Sequence, residues 1–224
     1  MEKNAEVRAT GKCIIIAAGE ITVNQIEVQD DDFVIAADGG LIYCDYLKLV
    51  PDVIIGDFDS LSGKRMDDVE VMEHLKSKNI IRLPVEKDDT DTIACVKYGL
   101  EKGYRDFRIY SACGGKRLDH VIANIQTLLY IKNRGAEGYL IDRDRTIFVI
   151  KNETLEFKDS MKGRMSLFSM GDRATVTIRG MKYNAESTVI TNDFPLGVSN
   201  EFTGENASVT VADGAVLCMV GMRE

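Results

Sequence analysis

The sequence predicts an α/β domain built on a mainly parallel sheet, followed by an all-β domain. In the first two-thirds of the chain, short apolar runs alternate with amphipathic stretches of helical spacing, which is typical of βαβ units. Several of these runs end in glycine or aspartate, as strands often do at the ligand-binding edge of a parallel sheet. After about Asp144, short β-rich runs replace this pattern. We therefore predict two domains, residues 1–144 and residues 145–224.

The first domain is predicted to contain six strands separated by helices. The predicted strands are the apolar runs Cys13–Ala17, Phe33–Ala37, Val53–Ile55, Ile80–Leu83, Phe107–Tyr110 and Gly138–Ile141. Apolar residues at helical spacing predict helices over 69–75, 93–100 and 121–132. Gly135 is a plausible stop for the last of these helices.

The second domain is predicted to be an all-β sandwich or small barrel. Its predicted strands are Thr146–Ile150, Thr154–Phe157, Arg164–Phe168, Ala174–Ile178, Ser208–Val211 and Ala215–Val220. Between the last two strands lies Asp213-Gly214, a dipeptide that is typical of tight β-hairpins. We therefore expect these two strands to pair with each other.

Composition restricts the class of protein. The chain has 224 residues, 45% of them hydrophobic, which is enough for a substantial core. A formal net charge of −8 argues against a nucleic-acid or anionic-membrane surface. No apolar run approaches the roughly 18 residues that span a bilayer. The five cysteines lack any C-x-x-C pair, which favours reduced thiols over zinc or disulfides. We predict a cytoplasmic protein.

Acidic residues follow several of the predicted strands, within loops that also carry glycines. The loops are Ala37-Asp38-Gly39-Gly40, Gly56-Asp57-Phe58-Asp59-Ser60, Lys87-Asp88-Asp89-Thr90-Asp91 and Gly114-Gly115-Lys116-Arg117-Leu118-Asp119-His120. The carboxyl ends of parallel strands meet at one sheet edge, so these carboxylates should converge. Converging carboxylates repel one another unless a cation neutralises them. An all-oxygen ligand set favours Mg²⁺ or Mn²⁺ over zinc.

Each loop also has a purely structural interpretation. Asp57 and Asp59 could form an acidic turn that caps a helix, and the glycine pairs could be tight turns. Asp88 or Asp89 could be a helix N-cap, with Asp91 in the first helical turn. His120 could be an ordinary, partly buried imidazole, and Lys116 and Arg117 could be solvated charges. Neither a G-x-x-x-x-G-K-[ST] nor a G-x-G-x-x-G motif occurs.

Taken together and in order, the four loops resemble thiamine pyrophosphokinases of the bacterial type. The resemblance covers essentially the whole chain and includes Val198-Ser199-Asn200-Glu201 in the β-rich part. It implies a nucleotide-binding α/β domain, a β-sandwich domain and a homodimer with active sites at the interface. The implied reaction moves the β,γ-pyrophosphoryl group of ATP to the hydroxyl of thiamine, with Mg²⁺, giving thiamine diphosphate and AMP.

The same resemblance assigns roles to individual residues. The implied catalytic carboxylates are those of Asp57, Asp59, Asp91 and Asp119, and the metal-facing ones are those of Asp57, Asp59, Asp88 and Asp91. Substrate-binding positions are Asp38, Gly39, Gly40, Thr90, Gly115, Lys116 and Arg117, together with Ser199 and Asn200 near thiamine. The loop at Ala18-Gly19 departs from the family pattern, because many relatives carry paired glycines there. Tryptophan is absent, so aromatic packing on thiamine would have to come from Phe or Tyr.

Two other functions remain as alternatives. A related diphosphokinase could act on another hydroxymethyl compound, such as a pterin, although the segment from Val198 to Glu201 favours thiamine. A non-catalytic sensor could bind a nucleotide or thiamine diphosphate with Mg²⁺, although a pure binder has no need of so many mutually repelling carboxylates. The residue that accepts the hydroxyl proton is not determined by the sequence.

Overall fold

The structure is a computed structural model that describes residues 8–57, 79–84 and 88–221. The chain divides into two compact units, the first comprising Met1–Thr127 with Asn133–Arg143 and the second Leu128–Lys132 with Asp144–Glu224. Helices occur together with parallel and antiparallel strand pairs. The predicted mixed α/β fold class is therefore confirmed.

The first unit contains a parallel sheet. Its described strands are β1 (Cys13–Ile16), β2 (Phe33–Ala37), β3 (Val53–Gly56), β4 (Asn79–Arg82), β5 (Asp106–Tyr110) and β6 (Glu137–Ile141). They lie in the order β6-β5-β1-β2-β3-β4, and each neighbouring pair is parallel. Every residue of β1 and β3 is buried, as expected for strands covered on both faces.

The strand order places a crevice at the centre of this sheet. From β1 the chain moves outward through β2, β3 and β4, and then returns to place β5 on the other side of β1. At such a reversal the loops after the two central strands leave in opposite directions, which opens a crevice at their carboxyl ends. The predicted acidic and glycine-rich loops follow strands on both sides of this point.

Described helices cover both faces of the sheet. A short 3₁₀ turn (Asp38–Gly40) leads into α1 (Leu41–Leu47), and the longer helices are α2 (Asp91–Glu101) and α3 (Leu118–Lys132). α1 buries Leu41, Cys44 and Leu47 in a core that includes Ile14 and Ile54. α2 buries a stripe at i, i+3, i+4 and i+7 spacing, which is one helical face: Thr92, Cys95, Val96 and Gly99.

The strands of the second unit form two antiparallel sets. Its strands are β7 (Arg145–Lys151), β8 (Thr154–Phe157), β9 (Arg164–Ser169), β10 (Arg173–Arg179), β11 (Ala185–Thr191), β12 (Gly197–Glu201), β13 (Ala207–Ala212) and β14 (Ala215–Gly221). The orders are β12-β9-β14-β7 and β11-β10-β13-β8. Alternate residues of strands from both sheets, such as Val176, Val209, Val216 and Cys218, share one hydrophobic core.

The predicted hairpin at Asp213-Gly214 is wrong. The turn itself forms, with positive φ angles of 56° at Asp213 and 145° at Gly214. However, β13 pairs with β10 and β8, whereas β14 pairs with β7 and β9. The connection therefore carries the chain from one sheet to the other. Both strands have alternating apolar residues that face the shared core, and this pattern does not specify the partner strand.

Apart from the short 3₁₀ turn, three described elements were not predicted, and one prediction lies outside the described residues. The unpredicted elements are α1, β11 and β12. α1 has only seven residues, too few for helical periodicity to be recognised. β11 has a single buried residue, Ile190, so it lacks the alternation that identifies a half-buried strand. The helix predicted over 69–75 lies outside the described residues.

The cysteines are free thiols, as predicted. Cys13, Cys44, Cys95 and Cys218 are buried, and burial raises the pKa of Cys44 to about 12. A buried thiol with a raised pKa is chemically inert. Separately, none of the helices in the described part of the chain is long and apolar enough to cross a membrane.

Gly99 allows α2 to pack closely on the sheet, and we predict that Gly99→Ala destabilises the protein. A β-carbon at Gly99 would lie 2.7 Å from Cε1 of Phe107 and 2.8 Å from Sγ of Cys13, both fully buried. Alanine in an open helix would favour folding by about 1 kcal/mol. At Gly99 the steric overlap should outweigh that gain. We therefore expect Gly99→Ala to lower the free energy of unfolding by about 1–3 kcal/mol, measured by urea denaturation.

Gly171→Ala is the matched control for this prediction. A β-carbon at Gly171 would meet nothing within 4 Å, so the free energy of unfolding should change by less than about 0.5 kcal/mol. A Gly99→Ala variant as stable as the wild type would contradict the close packing of α2.

Candidate active site

A cleft of about 820 Å³ lies at the carboxyl edge of the parallel sheet. Loops that follow β1, β2, β3 and β5 line it, together with the first turns of α2 and α3: the lining includes Ala17–Glu20, Ala37–Gly39, Asp57, Asp91, Thr92, Ser111, Ala112 and Gly114–Arg117. The cleft therefore occupies the crevice at the reversal of strand order. A volume of this size is typical of small-molecule sites.

Glycines allow the cleft loops to approach one another at backbone distance. The backbone N–H of Gly19 donates to the carbonyl of Ser111 at 2.8 Å, and a β-carbon there would lie 2.4 Å from that oxygen. A β-carbon on Gly40 would lie 2.0 Å from the carbonyl oxygen of Ile16. A β-carbon on Gly56 would lie 2.9 Å from Cα of Asp38. The glycines of the sequence motifs thus hold the loops after different strands together.

Acidic residues from separate strands share this cleft, as predicted. Glu20, Asp38, Asp57 and Asp91 all line it. Asp38 is buried and has a φ angle of +45°, a left-handed conformation that is uncommon for a residue with a side chain. Strained backbone of this kind is concentrated at functional sites. The convergence inferred from the loop positions is therefore observed for Asp38, Asp57 and Asp91.

The loop between β5 and α3 contributes positively charged side chains to the cleft. Lys116 and Arg117 line the cleft, and Gly115 before them has a φ angle of +102°, which suits glycine. The first turns of α2 and α3 border the same space. Helix N-termini carry partial positive charge and free N–H groups, which favour phosphate binding.

An exposed ion pair orients Arg117. Its Nη2 atom lies 2.7 Å from Oδ2 of Asp119, and Nε also donates to Oδ1 at 3.0 Å. This side-chain hydrogen bond lowers the pKa of the Asp119 carboxyl to about 2. A carboxylate with so low a pKa is a poor proton acceptor near neutral pH. Asp119 itself is exposed and is not among the residues that line the cleft.

Several predicted site residues lie beside the cleft without lining it. Gly40 is buried against β1, and Asp88 is exposed. Thr90 is the N-cap of α2, and its Oγ1 atom accepts from the backbone N–H of Ile93 at 3.3 Å. The alternative in which Asp88 or Asp89 caps this helix is therefore wrong. Asp89 instead pairs with Lys97 at 2.6 Å.

The predicted thiamine-binding residues lie in the second unit. Ser199 is exposed, has a φ angle of +61°, and sits where the pairing of β12 with β9 is irregular. The buried Asn200 uses its side-chain amide within the fold: Oδ1 accepts from the N–H of Tyr183 at 3.0 Å, and Nδ2 donates to the carbonyl of Tyr183 at 2.7 Å.

The predicted metal ligands are Asp57, Asp59, Asp88 and Asp91. Asp59 lies outside the described residues. Among residues 8–57, 79–84 and 88–221, no group of three Asp, Glu, His or Cys side chains is arranged to hold a metal ion. Asp57 and Asp91 nevertheless line one cleft and offer only oxygen donors. Mg²⁺ is commonly held by one or two carboxylates with substrate phosphates, so these two residues fit that ion.

Sequence reasoning missed Ser111, Asn124 and Glu20, all of which line the cleft. Ser111 directly follows β5, which is the same signal that identified Asp38 and Asp57. Asn124 lies within α3, where its Nδ2 atom donates to the carbonyl of Ala112 at 3.0 Å. No sequence signal distinguishes such an asparagine from a surface residue of the helix.

The fold and the cleft define an α/β enzyme whose site is formed by acidic, glycine-rich and cationic loops at one sheet edge. Residues 25–140 match the model for the catalytic domain of thiamin pyrophosphokinase, and residues 150–216 match the model for its vitamin B1 binding domain. The chain therefore belongs to the thiamin pyrophosphokinase family, and its function is that of a thiamine diphosphokinase.

Solved structures share the fold over nearly the whole chain. Thiamine pyrophosphokinase from Bacillus subtilis is 21% identical with a TM-score of 0.83, covering 95% of this chain and 100% of that one. A thiamin pyrophosphokinase family protein from Enterococcus faecalis is 24% identical with a TM-score of 0.79, covering 96% and 100%. Yeast thiamin pyrophosphokinase is 18% identical with a TM-score of 0.74, covering 98% and 88%. A search of curated proteins found no match.

We predict that Arg117→Gln raises the pKa of Asp119 from about 2 towards its ordinary value of 3.8, because the hydrogen-bonding cation is lost. The folded-state pKa lies below that ordinary value, so the pair favours the folded state above about pH 4. That contribution is lost as the pH falls through about 2. The measurement is an NMR titration of the Asp119 carboxyl.

Lys116→Gln is the control, because Lys116 is the adjacent cation and does not bond Asp119 in this structure. The pKa of Asp119 should not change in that variant. If it also remains near 2 in Arg117→Gln, the ion pair is not the cause of the shift.

Proposed function

We propose that the cleft of the first unit binds ATP with Mg²⁺ and there transfers its β,γ-pyrophosphoryl group to the hydroxyl of thiamine, releasing AMP. The observation that carries this proposal is the convergence of Asp38, Asp57 and Asp91 in one cleft that also contains Lys116 and Arg117. Such transfers depend mainly on positioning the reactants and neutralising developing charge. The cleft offers groups of both signs for this purpose.

The phosphates of ATP would lie against the loop after β5. Lys116 and Arg117 are the cationic residues of the cleft lining, and the N-termini of α2 and α3 add partial positive charge. The backbone contacts of Gly19 and the positive φ angle of Gly115 support a loop that a phosphate can approach closely. Arg117 suits this role because a guanidinium can bind two phosphate oxygens at once.

Asp57 and Asp91 are the proposed Mg²⁺ ligands among the described residues, with Asp59 completing the set. When bound, Mg²⁺ would neutralise negative charge on the phosphates of the nucleotide. Asp91 is a better candidate than Asp88, because Asp91 lines the cleft. Asp88 is exposed and is not among the residues that line the cleft.

The proton of the thiamine hydroxyl would pass to a carboxylate that lines the cleft. Among the described residues, Glu20, Asp38, Asp57 and Asp91 satisfy that requirement. The lowered pKa of Asp119 disfavours it as the proton acceptor, since a strong acid has a weakly basic conjugate. We therefore assign Asp119 the role of orienting Arg117.

Thiamine binding is proposed to involve the second unit. In this proposal residues 145–224 act as a β-sandwich domain and residues 1–144 as an ATP-binding domain. The exposed Ser199, with its left-handed backbone, is the better candidate for direct contact. Asn200 would support the site by fixing the backbone of Tyr183. Following the family resemblance, we propose a cytoplasmic homodimer in which Ser199 reaches the active site of the partner subunit.

The reaction is tested by incubating the purified protein with ATP, Mg²⁺ and one acceptor at a time. We expect AMP and thiamine diphosphate in equal amounts with thiamine, and no product after EDTA removes the metal. Product from a hydroxymethyl pterin, but not from thiamine, would instead support the related diphosphokinase. Nucleotide or thiamine binding without AMP would support the sensor.

Substitutions test the acidic residues separately. We expect Asp57→Asn and Asp91→Asn each to lower kcat/KM roughly a hundredfold or more, as for the loss of a group that stabilises transition-state charge. The melting temperature should change little. The same result is expected for Asp59→Asn.

Asp45→Asn is the matched control, because Asp45 is exposed on α1 and does not line the cleft. Its kcat/KM should equal that of the wild type. Near-normal turnover in any of the cleft variants would remove that residue from the mechanism.

A further inference from the structure

Ser111 has an unusual backbone conformation at the carboxyl edge of the sheet. It directly follows β5, lines the cleft and has a φ angle of +56°. Glycine adopts this left-handed region readily, but a residue with a β-carbon is disfavoured there. The conformation of Ser111 therefore opposes folding slightly.

The side chain of Ser111 adds a second unfavourable feature. The residue is only 4% exposed, and within the described part of the chain its Oγ atom has no hydrogen-bond partner. Burying a hydroxyl without a partner costs free energy. Such groups are rare in native proteins, so each one calls for an explanation. Both features occur in one residue that faces a ligand cleft.

Neighbouring contacts hold Ser111 in this position. The N–H of Gly19 donates to its carbonyl oxygen at 2.8 Å, and the next residue, Ala112, accepts a bond from Nδ2 of Asn124 at 3.0 Å. Two hydrogen bonds therefore hold the backbone at Ser111 and at the residue after it. A hydroxyl that is held in place and lacks a protein partner is preorganised to bind a ligand.

We propose that the Ser111 hydroxyl donates a hydrogen bond to a phosphate oxygen of the nucleotide substrate. This inference rests on the proposed function of the same cleft. A phosphate is the favoured partner because Ser111 begins the loop that carries Lys116 and Arg117, and because α3 starts directly after that loop. The bond would satisfy the buried hydroxyl only when nucleotide is bound.

The test is Ser111→Ala in the full chain, with α,β-methylene ATP as the binding probe. The methylene group replaces the bridging oxygen at the bond that pyrophosphoryl transfer breaks, so affinity is measured without turnover. We expect the Kd of the probe and the KM for ATP to rise about tenfold or more, as for a lost hydrogen bond to a charged group. The KM for thiamine should stay within about twofold of the wild-type value, because thiamine has no phosphate and does not form this hydrogen bond.

Two further variants separate binding from folding. Ser111→Gly removes the hydroxyl and also relieves the strain of the left-handed backbone. Its Kd for the probe should rise as much as in Ser111→Ala, and its melting temperature should be higher than that of the wild type. Thr127→Val is the matched control: Thr127 is also 4% exposed, its hydroxyl donates to the carbonyl of Ala123 at 2.9 Å, and it does not line the cleft. Its affinity for the probe should equal that of the wild type.

The outcomes distinguish this proposal from the function on which it rests. Wild-type affinity in both Ser111 variants would overturn the role of Ser111, while AMP formation by the wild type would still support the proposed function. Affinity that falls in Ser111→Ala but returns in Ser111→Gly would show a purely structural effect and would also overturn it. A wild type that does not bind the probe would overturn both.

Discussion

Close backbone contact between loops at the carboxyl edge of the parallel sheet is the constraint on which the site depends. The loop after β1 meets the loop after β5 through Gly19 and Ser111, and β3 meets the turn after β2 through Gly56 and Asp38. A β-carbon at either glycine would overlap the opposite backbone. These contacts hold together residues from distant parts of the chain, and the cleft exists because the loops cannot spread apart without losing them.

The negatively and positively charged side chains of the cleft come from different loops. Carboxylates come from the loops after β1, β2 and β3 and from the start of α2, whereas Lys116 and Arg117 come from the single loop before α3. Groups of both signs would suit the proposed ligands, because the phosphates of a nucleotide are anionic and thiamine is a cation. The ion pair between Arg117 and Asp119 holds the guanidinium beside that carboxylate and keeps the pKa of the carboxyl low.

Prediction from sequence succeeded where local pattern and burial coincide. β1 and β3 are continuous apolar runs and are buried throughout, so their positions could be inferred directly. The position of α2 was also predicted, but its buried stripe of Thr92, Cys95, Val96 and Gly99 shares only Val96 with the apolar residues whose spacing predicted the helix. Prediction failed for the seven-residue α1, which is too short to show a period, and for the partner strands of β13 and β14. Pairing depends on contacts between residues far apart in the chain, and alternation within one strand does not contain that information.

By itself the sequence identified the loops that combine aspartate, lysine, arginine and glycine after the predicted strands, because these residue types stand out by charge and by backbone freedom. It also determined the family, through the order of those motifs. Only the tertiary structure decided which of these residues lie together. Asp91 lines the cleft while Asp88 does not, and Asp119 forms an ion pair with Arg117. It alone identified Ser111, because burial and the absence of a hydrogen-bond partner within the described chain are properties of a folded neighbourhood.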